Sequence, residues 1–163
     1  MKIINKTLSI QEYSNLSDLS DIEQTLVKKA KDSVNRAYAP YSQFKVGASL
    51  LLENGKIFCG NNQENAAYPS GLCAERVVMF YANANYPGVK MKVMAIVAKN
   101  QKGFIKKPVY PCGSCRQVLI ENENHFRNLI KLILVGEEKI HIIENASQLL
   151  PMGFDKSVLF GSK

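Results

Sequence analysis

Lys45 to Gly60 reads KVGASLLLENGKIFCG: two apolar runs joined by Asn54-Gly55. An Asn-Gly pair between two apolar runs is a turn signal, so the stretch is expected to be a β-hairpin. Upstream, Ser20 and Glu23 have the spacing of a capping box, and Ile22, Leu26, Val27, Ala30, Val34 and Ala37 recur at helical intervals until Pro40. Downstream, residues 74–84 fit a second helix, and Val93 to Ala98 (VMAIVA) is a continuous apolar run of the kind a strand buried on both faces requires. Cys112 to about Glu121 suits a third helix, and Ile130 to Val135 and Lys139 to Ile143 suit two more strands. Helix, hairpin, helix, strand, helix, strand, strand predicts an α/β fold with helices on both faces of the sheet.

The 163 residues are 46% hydrophobic, enough for one core and one domain. We expect that domain to span residues 21–163, preceded by a polar N-terminal extension over residues 1–20. No stretch approaches the roughly 20 apolar residues of a membrane helix, and Met1 to Ser20 lacks a secretory apolar run, so a cytoplasmic protein with no membrane partner is expected. The net charge of +7 is spread over scattered lysines and arginines, with pairs only at Lys28-Lys29 and Lys106-Lys107. That scatter argues against a nucleic-acid partner, which calls for a clustered basic surface.

Chemistry concentrates at the cysteines. In Pro111-Cys112-Gly113-Ser114-Cys115-Arg116 two thiols lie three residues apart at a helix start, a spacing that puts both on one face. Taken alone, such a pair suits a redox couple as well as a metal. Cys73-Ala74-Glu75 begins another predicted helix after Gly71. Three thiolates from two helix starts would leave the fourth position of a tetrahedral ion open, the arrangement of a catalytic zinc site. Cys-x-Glu followed by Pro-Cys-x-x-Cys is the pattern of zinc deaminases, in which the glutamate carries protons rather than binding metal. Each residue also has a plainer reading: Cys73 as a buried thiol, Glu75 as a first-turn carboxylate and Phe44 or Phe154 as core aromatics. Arg76 and Arg116 directly follow the motifs; either is a surface arginine, or both donate to cysteine sulfurs and withdraw charge from them. His125 and His141 lie outside both motifs and read as surface or structural residues.

From about residue 22 to Leu159 the sequence resembles the small cytidine deaminase family. Residues 39–48 (APYSQFKVGA), 62–68 (NQENAAY), 69–76 (PSGLCAER) and 149–154 (LLPMGF) are similar to that family's motifs in order. The resemblance implies a three-layer α-β-α sandwich around a mixed five-stranded sheet. It implies one Zn2+ per chain on Cys73, Cys112 and Cys115, with Glu75 as the proton carrier. Phe44 would face the pyrimidine, Asn62 and Glu64 the ribose, and Ala74 and Glu75 the ring edge. Ala66, Tyr68 and Phe154 would reach a neighbouring subunit's site in a homotetramer with shared active sites. The implied activity is hydrolytic deamination of cytidine and 2′-deoxycytidine for pyrimidine salvage. A related nucleoside or nucleoside antibiotic, and then a polynucleotide, are alternative substrates. From another class, a structural zinc module would need a fourth protein ligand, which neither histidine nor Cys59 offers at a convincing spacing. Asn61 and Tyr110 stand where many members carry cysteine and serine.

Overall fold

The structure, a computed structural model, describes residues 1–160; residues 161–163, the end of the expected domain, lie outside the described residues. The elements in chain order are β1 (Gln11–Tyr13), α1 (Asp21–Ser33), β2 (Lys45–Leu52), β3 (Ile57–Asn61), α2 (Ala74–Asn85) and β4 (Met91–Asn100). They continue with β5 (Gly103–Phe104), α3 (Gly113–Phe126), β6 (Lys131–Val135), β7 (Ile140–Ile143) and α4 (Lys156–Phe160). The sheet runs β1-β7-β6-β4-β2-β3, with β5 attached to β4. All pairings are antiparallel except β4 with β6, and that parallel pair is bridged by α3, since parallel neighbours need a crossover. The five expected strands are present. Two short ones join them: β5, paired with β4, and β1, which lies within the N-terminal extension and pairs with β7.

The central strand β4 shows why two helical layers form. Met94 and Ile96 belong to a core with Val78 and Met79 of α2 and Leu119 of α3. Ala95 and Val97 belong to a second core with Leu26, Val27 and Ala30 of α1. Alternate side chains of a strand point to opposite faces, so one apolar run serves both layers. Burying each such leucine or valine contributes about 1.5–3 kcal/mol. The capping box forms as expected: the Ser20 backbone N–H donates to Glu23 Oε2 at 3.0 Å.

Close helix-to-sheet approach fixes where the helices begin. A Cβ at Gly60 would lie 2.8 Å from the Ala74 carbonyl oxygen and 2.9 Å from Val78 N, so α2 lies against β3 from its first residue into its second turn. Ser33 Oγ donates to the Gly60 carbonyl at 2.8 Å from the opposite layer, pinning the same strand residue. Gly60→Ala should therefore force α2 away from the sheet and lower stability by about 1–3 kcal/mol, read from urea unfolding. An unchanged midpoint together with unchanged metal content would show that the helix has room to shift.

Candidate active site and metal centre

Two helix starts converge. Cys73 is the N-cap of α2 and Cys112 the N-cap of α3, each in extended backbone. Their carbonyls accept the first helical bonds, from Val77 N at 3.1 Å and Arg116 N at 3.0 Å. Cys112 was expected inside the helix. It sits one position ahead of it, as an N-cap with extended backbone (φ −67°, ψ 169°), and Gly113 opens the first turn. Cys115 lies in that first turn and is buried, Cys73 is half-buried, and Cys112 is exposed.

The three Sγ atoms lie within 4.8 Å of one another. Cys73 to Cys112 is 3.7 Å and Cys112 to Cys115 is 3.5 Å. Ligands at about 2.3 Å on a tetrahedral zinc stand about 3.8 Å apart, so the cluster fits that ion, and soft thiolates suit it. Among the described residues the cluster includes no fourth side chain, which leaves one position for water or substrate.

The thiols compete for negative charge. Cys73 is brought down to about 5, first by the Cys115 thiol hydrogen-bonded to it and then, against opposing burial, by the Arg76 guanidinium. Cys115 is pushed up, first by Cys73 and then by burial. A divalent cation relieves this competition, because every ligand then favours the deprotonated form. Arg76 Nη2 stands 3.9 Å from Cys73 Sγ, while its buried Nε has no partner among the described residues. Arg116 behaves differently from the expectation that it serves a sulfur: Nε donates to the Pro111 carbonyl at 2.7 Å and Nη1 to the Leu149 carbonyl at 3.0 Å. Pro111 lies in the loop before α3 and Leu149 ends a 3-10 turn, and one guanidinium satisfies both carbonyls at once.

Glu75 is 4% exposed and Ala74 fully buried. Burial raises the Glu75 pKa, and the Cys73 charge adds to the effect, outweighing the hydrogen bond from its own backbone. A buried carboxyl whose neutral form is favoured in this way is a candidate general acid and base.

A cleft of about 520 Å³ adjoins the cluster, bounded by Tyr41, Asn62, Glu64, Tyr68, Cys73 and Arg76. Asn62 Oδ1 accepts from Val46 N at 2.8 Å and Nδ2 donates to the Phe44 carbonyl at 2.9 Å, which leaves one amide hydrogen and one lone pair for a ligand. Glu64 accepts from Tyr41 N at 2.9 Å, Ser42 N at 3.3 Å and the Ser42 hydroxyl. The Ser42 hydroxyl first, and those backbone donors after it, hold the carboxyl below its ordinary pKa. Gln43 takes a left-handed conformation with φ 55° and donates to the Pro40 carbonyl at 2.7 Å, closing the 40–44 loop that carries Phe44. The holding roles of Tyr41, Ser42 and Gln43 had no signal in the sequence, since two of the bonds to Glu64 come from backbone. Phe44 is partly buried, whereas Ala66, Tyr68 and Phe154 are exposed. Tyr68 packs edge-on to Tyr41 with ring centroids 5.9 Å apart. Phe154 is anchored through its carbonyl, which accepts from Gln117 Nε2 at 2.6 Å.

Residues 20–128 match the family profile described as the cytidine and deoxycytidylate deaminase zinc-binding region. A cytidine deaminase of Sporosarcina psychrophila is 39% identical over 140 residues, 85% of this chain and 95% of that protein. One from Halalkalibacterium halodurans is 44% identical over 98 residues, 60% of this chain and 70% of that protein. Among solved structures, a cytidine deaminase from Burkholderia pseudomallei superposes with a TM-score of 0.70 at 37% identity, covering 83% of this chain and all of that one. The matched stretch contains all three clustered sulfurs and Glu75, and the chain belongs to the cytidine deaminase family with this zinc-binding region.

Proposed function

We propose that this protein deaminates cytidine and 2′-deoxycytidine hydrolytically, giving uridine and 2′-deoxyuridine with release of ammonia. The observation that carries the reading is a buried carboxyl, Glu75, two residues after Cys73 of a three-thiol cluster that opens on a cleft rimmed by Asn62 and Glu64. When bound by Cys73, Cys112 and Cys115, zinc supplies the Lewis acidity that makes a water nucleophilic near neutral pH. Glu75 accepts a proton from that water and passes it to the pyrimidine ring nitrogen, leaving the amino-bearing carbon open to oxygen addition. A second transfer through Glu75, from the added hydroxyl to the amino group, forms the carbonyl as the carbon–nitrogen bond breaks and ammonia departs. Water and cytidine are consumed, uridine and ammonia are formed, and Glu75 returns to its starting state.

Three thiolates on a divalent ion carry a net negative charge, which weakens its pull on water. Arg76, beside Cys73, offsets this by donating toward the sulfur. Arg116 serves instead by bracing the ligand-bearing turn through Pro111 and Leu149. In this reading Phe44 faces the pyrimidine, the Ala74 backbone and Glu75 meet the ring edge, and the spare groups of Asn62 and Glu64 take the ribose hydroxyls. The exposed Ala66, Tyr68 and Phe154 complete a neighbour's site in a homotetramer. An apolar exterior supports such assembly: Phe80 is 45%, Tyr81 55% and Phe154 55% exposed in the single chain. A cytoplasmic location is supported by four unpaired cysteines. No helix of the structure is long and apolar enough to cross a membrane.

Glu75→Gln should retain zinc and fold while losing about 10²- to 10⁴-fold in turnover, because an amide cannot shuttle the proton. Near-normal ammonia release from cytidine by that variant would sink the proposed proton path.

Cys112→Ala should lose metal and stability together, since metal-binding energy is also folding energy. Elemental analysis beside thermal unfolding reads this out, and one zinc per chain at unchanged affinity would remove Cys112 from the ligand set.

Free nucleosides should react while cytidine 3′-monophosphate and single-stranded oligonucleotides react poorly, because a phosphate at the ribose 3′-oxygen would face the Glu64 carboxylate. Glu64→Gln should raise the Michaelis constant for cytidine without creating strand activity. Efficient deamination of an oligonucleotide by the unmodified protein would move the substrate from nucleoside to polynucleotide.

A further inference from the structure

Tyr110 and His141, neither of which the proposed reaction uses, meet in space. Tyr110 Oη lies 2.6 Å from His141 Nδ1, and the other ring nitrogen, Nε2, lies 2.9 Å from Glu12 Oε2. Glu12 Oε1 takes Lys139 Nζ at 2.5 Å. Glu12 and His141 are direct partners in the β1–β7 register, so their side chains stand on one face of the sheet. The His141 side chain is only 17% exposed, and Tyr110 packs against the core shared by α2 and α3. One hydrogen-bonded chain thus links the N-terminal strand, β7 and the loop that enters α3.

That loop carries the Cys112 limb of the metal cluster. Tyr110 stands two residues before Cys112, and the intervening Pro111 has its φ fixed by its ring, so little slack separates the anchored phenol from the ligand. On the helix side the same turn is held by Arg116 on the Pro111 carbonyl. Cys115 is fixed within a buried helical turn, whereas Cys112 is an exposed N-cap, tied to the helix through its carbonyl and to the preceding loop through Pro111. Glu12 and His141 both fall outside residues 20–128, the stretch matched by the family profile.

We propose that Glu12, His141 and Tyr110 are positioning residues: through them the N-terminal strand holds the Cys112 sulfur in register with Cys73 and Cys115. The inference rests on the zinc site of the proposed function. Removing a group that orients a metal ligand typically costs about 10- to 100-fold in metal affinity or activity.

The test follows zinc release from the holoprotein to a colorimetric chelator. The variants are Tyr110→Phe, which keeps the packed ring, Glu12→Gln, the two combined, and Gln11→Ala as a control on the same strand. Each single relay variant should release zinc about threefold to tenfold faster, below the effect expected for a direct partner of a ligand. The double variant should be no faster than the faster single one, because both break one chain, and Gln11→Ala should match the unmodified protein. Single variants within twofold of the unmodified protein, a double variant whose effect is the product of the two, or a Gln11→Ala variant as fast as Glu12→Gln would each overturn the relay. Zinc content of the unmodified protein separates the two readings: a chain that holds no zinc overturns the metal site and the relay with it, whereas a zinc-loaded chain with indifferent variants overturns the relay alone.

Discussion

Three sulfurs must stand within 4.8 Å of one another although Cys73 and Cys112 are 39 residues apart in the chain. Only the two helix starts on one face of the sheet can meet that demand. Helices α2 and α3 both pack on the face that holds Met94, Ile96 and Leu132, and the close contact of Gly60 with the start of α2 leaves no room for a side chain between strand and helix. The sheet therefore sets the helix positions, and the helix positions set the cluster. The electrostatics follow from the same geometry, since a helix start presents unpaired N–H groups and a partial positive charge that favours thiolate.

Concentrating negative charge at one point has consequences for neighbouring groups. With Cys73 favouring the thiolate, burial and that charge together keep Glu75 from ionising at the ordinary carboxylate pKa. The upward shift of Glu75 is thus a by-product of its burial beside the sulfurs. Arg76 provides a countercharge at Cys73, whereas Arg116 is committed to the backbone carbonyls of Pro111 and Leu149. Adjacent arginines in similar motifs serve different ends because different backbone lies within their reach.

Buried polar anchors hold the loops that a short sheet cannot. Glu123, 5% exposed near the end of α3, accepts from Ile130 N at 2.7 Å, Ala146 N at 3.0 Å and Ser147 N at 3.1 Å. It ties the entry to β6 to the 3-10 turn Ala146–Leu149, whose last carbonyl receives Arg116. On the other side of the cleft, Glu64 and Asn62 organise the 40–46 backbone in the same way, so residues expected to meet a ribose also build the wall around it.

Local signals determined much of the fold. Asn54-Gly55 set the hairpin, Ser20 with Glu23 the start of α1, and the alternating needs of VMAIVA a strand buried on both faces. The two cysteine motifs marked the three sulfurs that cluster in space, because metal chemistry restricts residue type and spacing within a few positions. The rest required tertiary structure. Strands β1 and β5, of three and two residues, are too short for a period of two and exist through pairing with β7 and β4. Helix α3 runs to Phe126 through Glu121-Asn122-Glu123-Asn124, a polar stretch that reads as a helix end until Glu123 finds three backbone donors. Arg116 on Leu149 and Tyr110 on His141 join residues 33 and 31 apart, and His141 reaches Glu12 across 129. A helix or turn is chosen by neighbours in sequence, but the partner of a buried polar side chain is chosen by which distant backbone the packed core brings within 3 Å, and no local pattern records that distance.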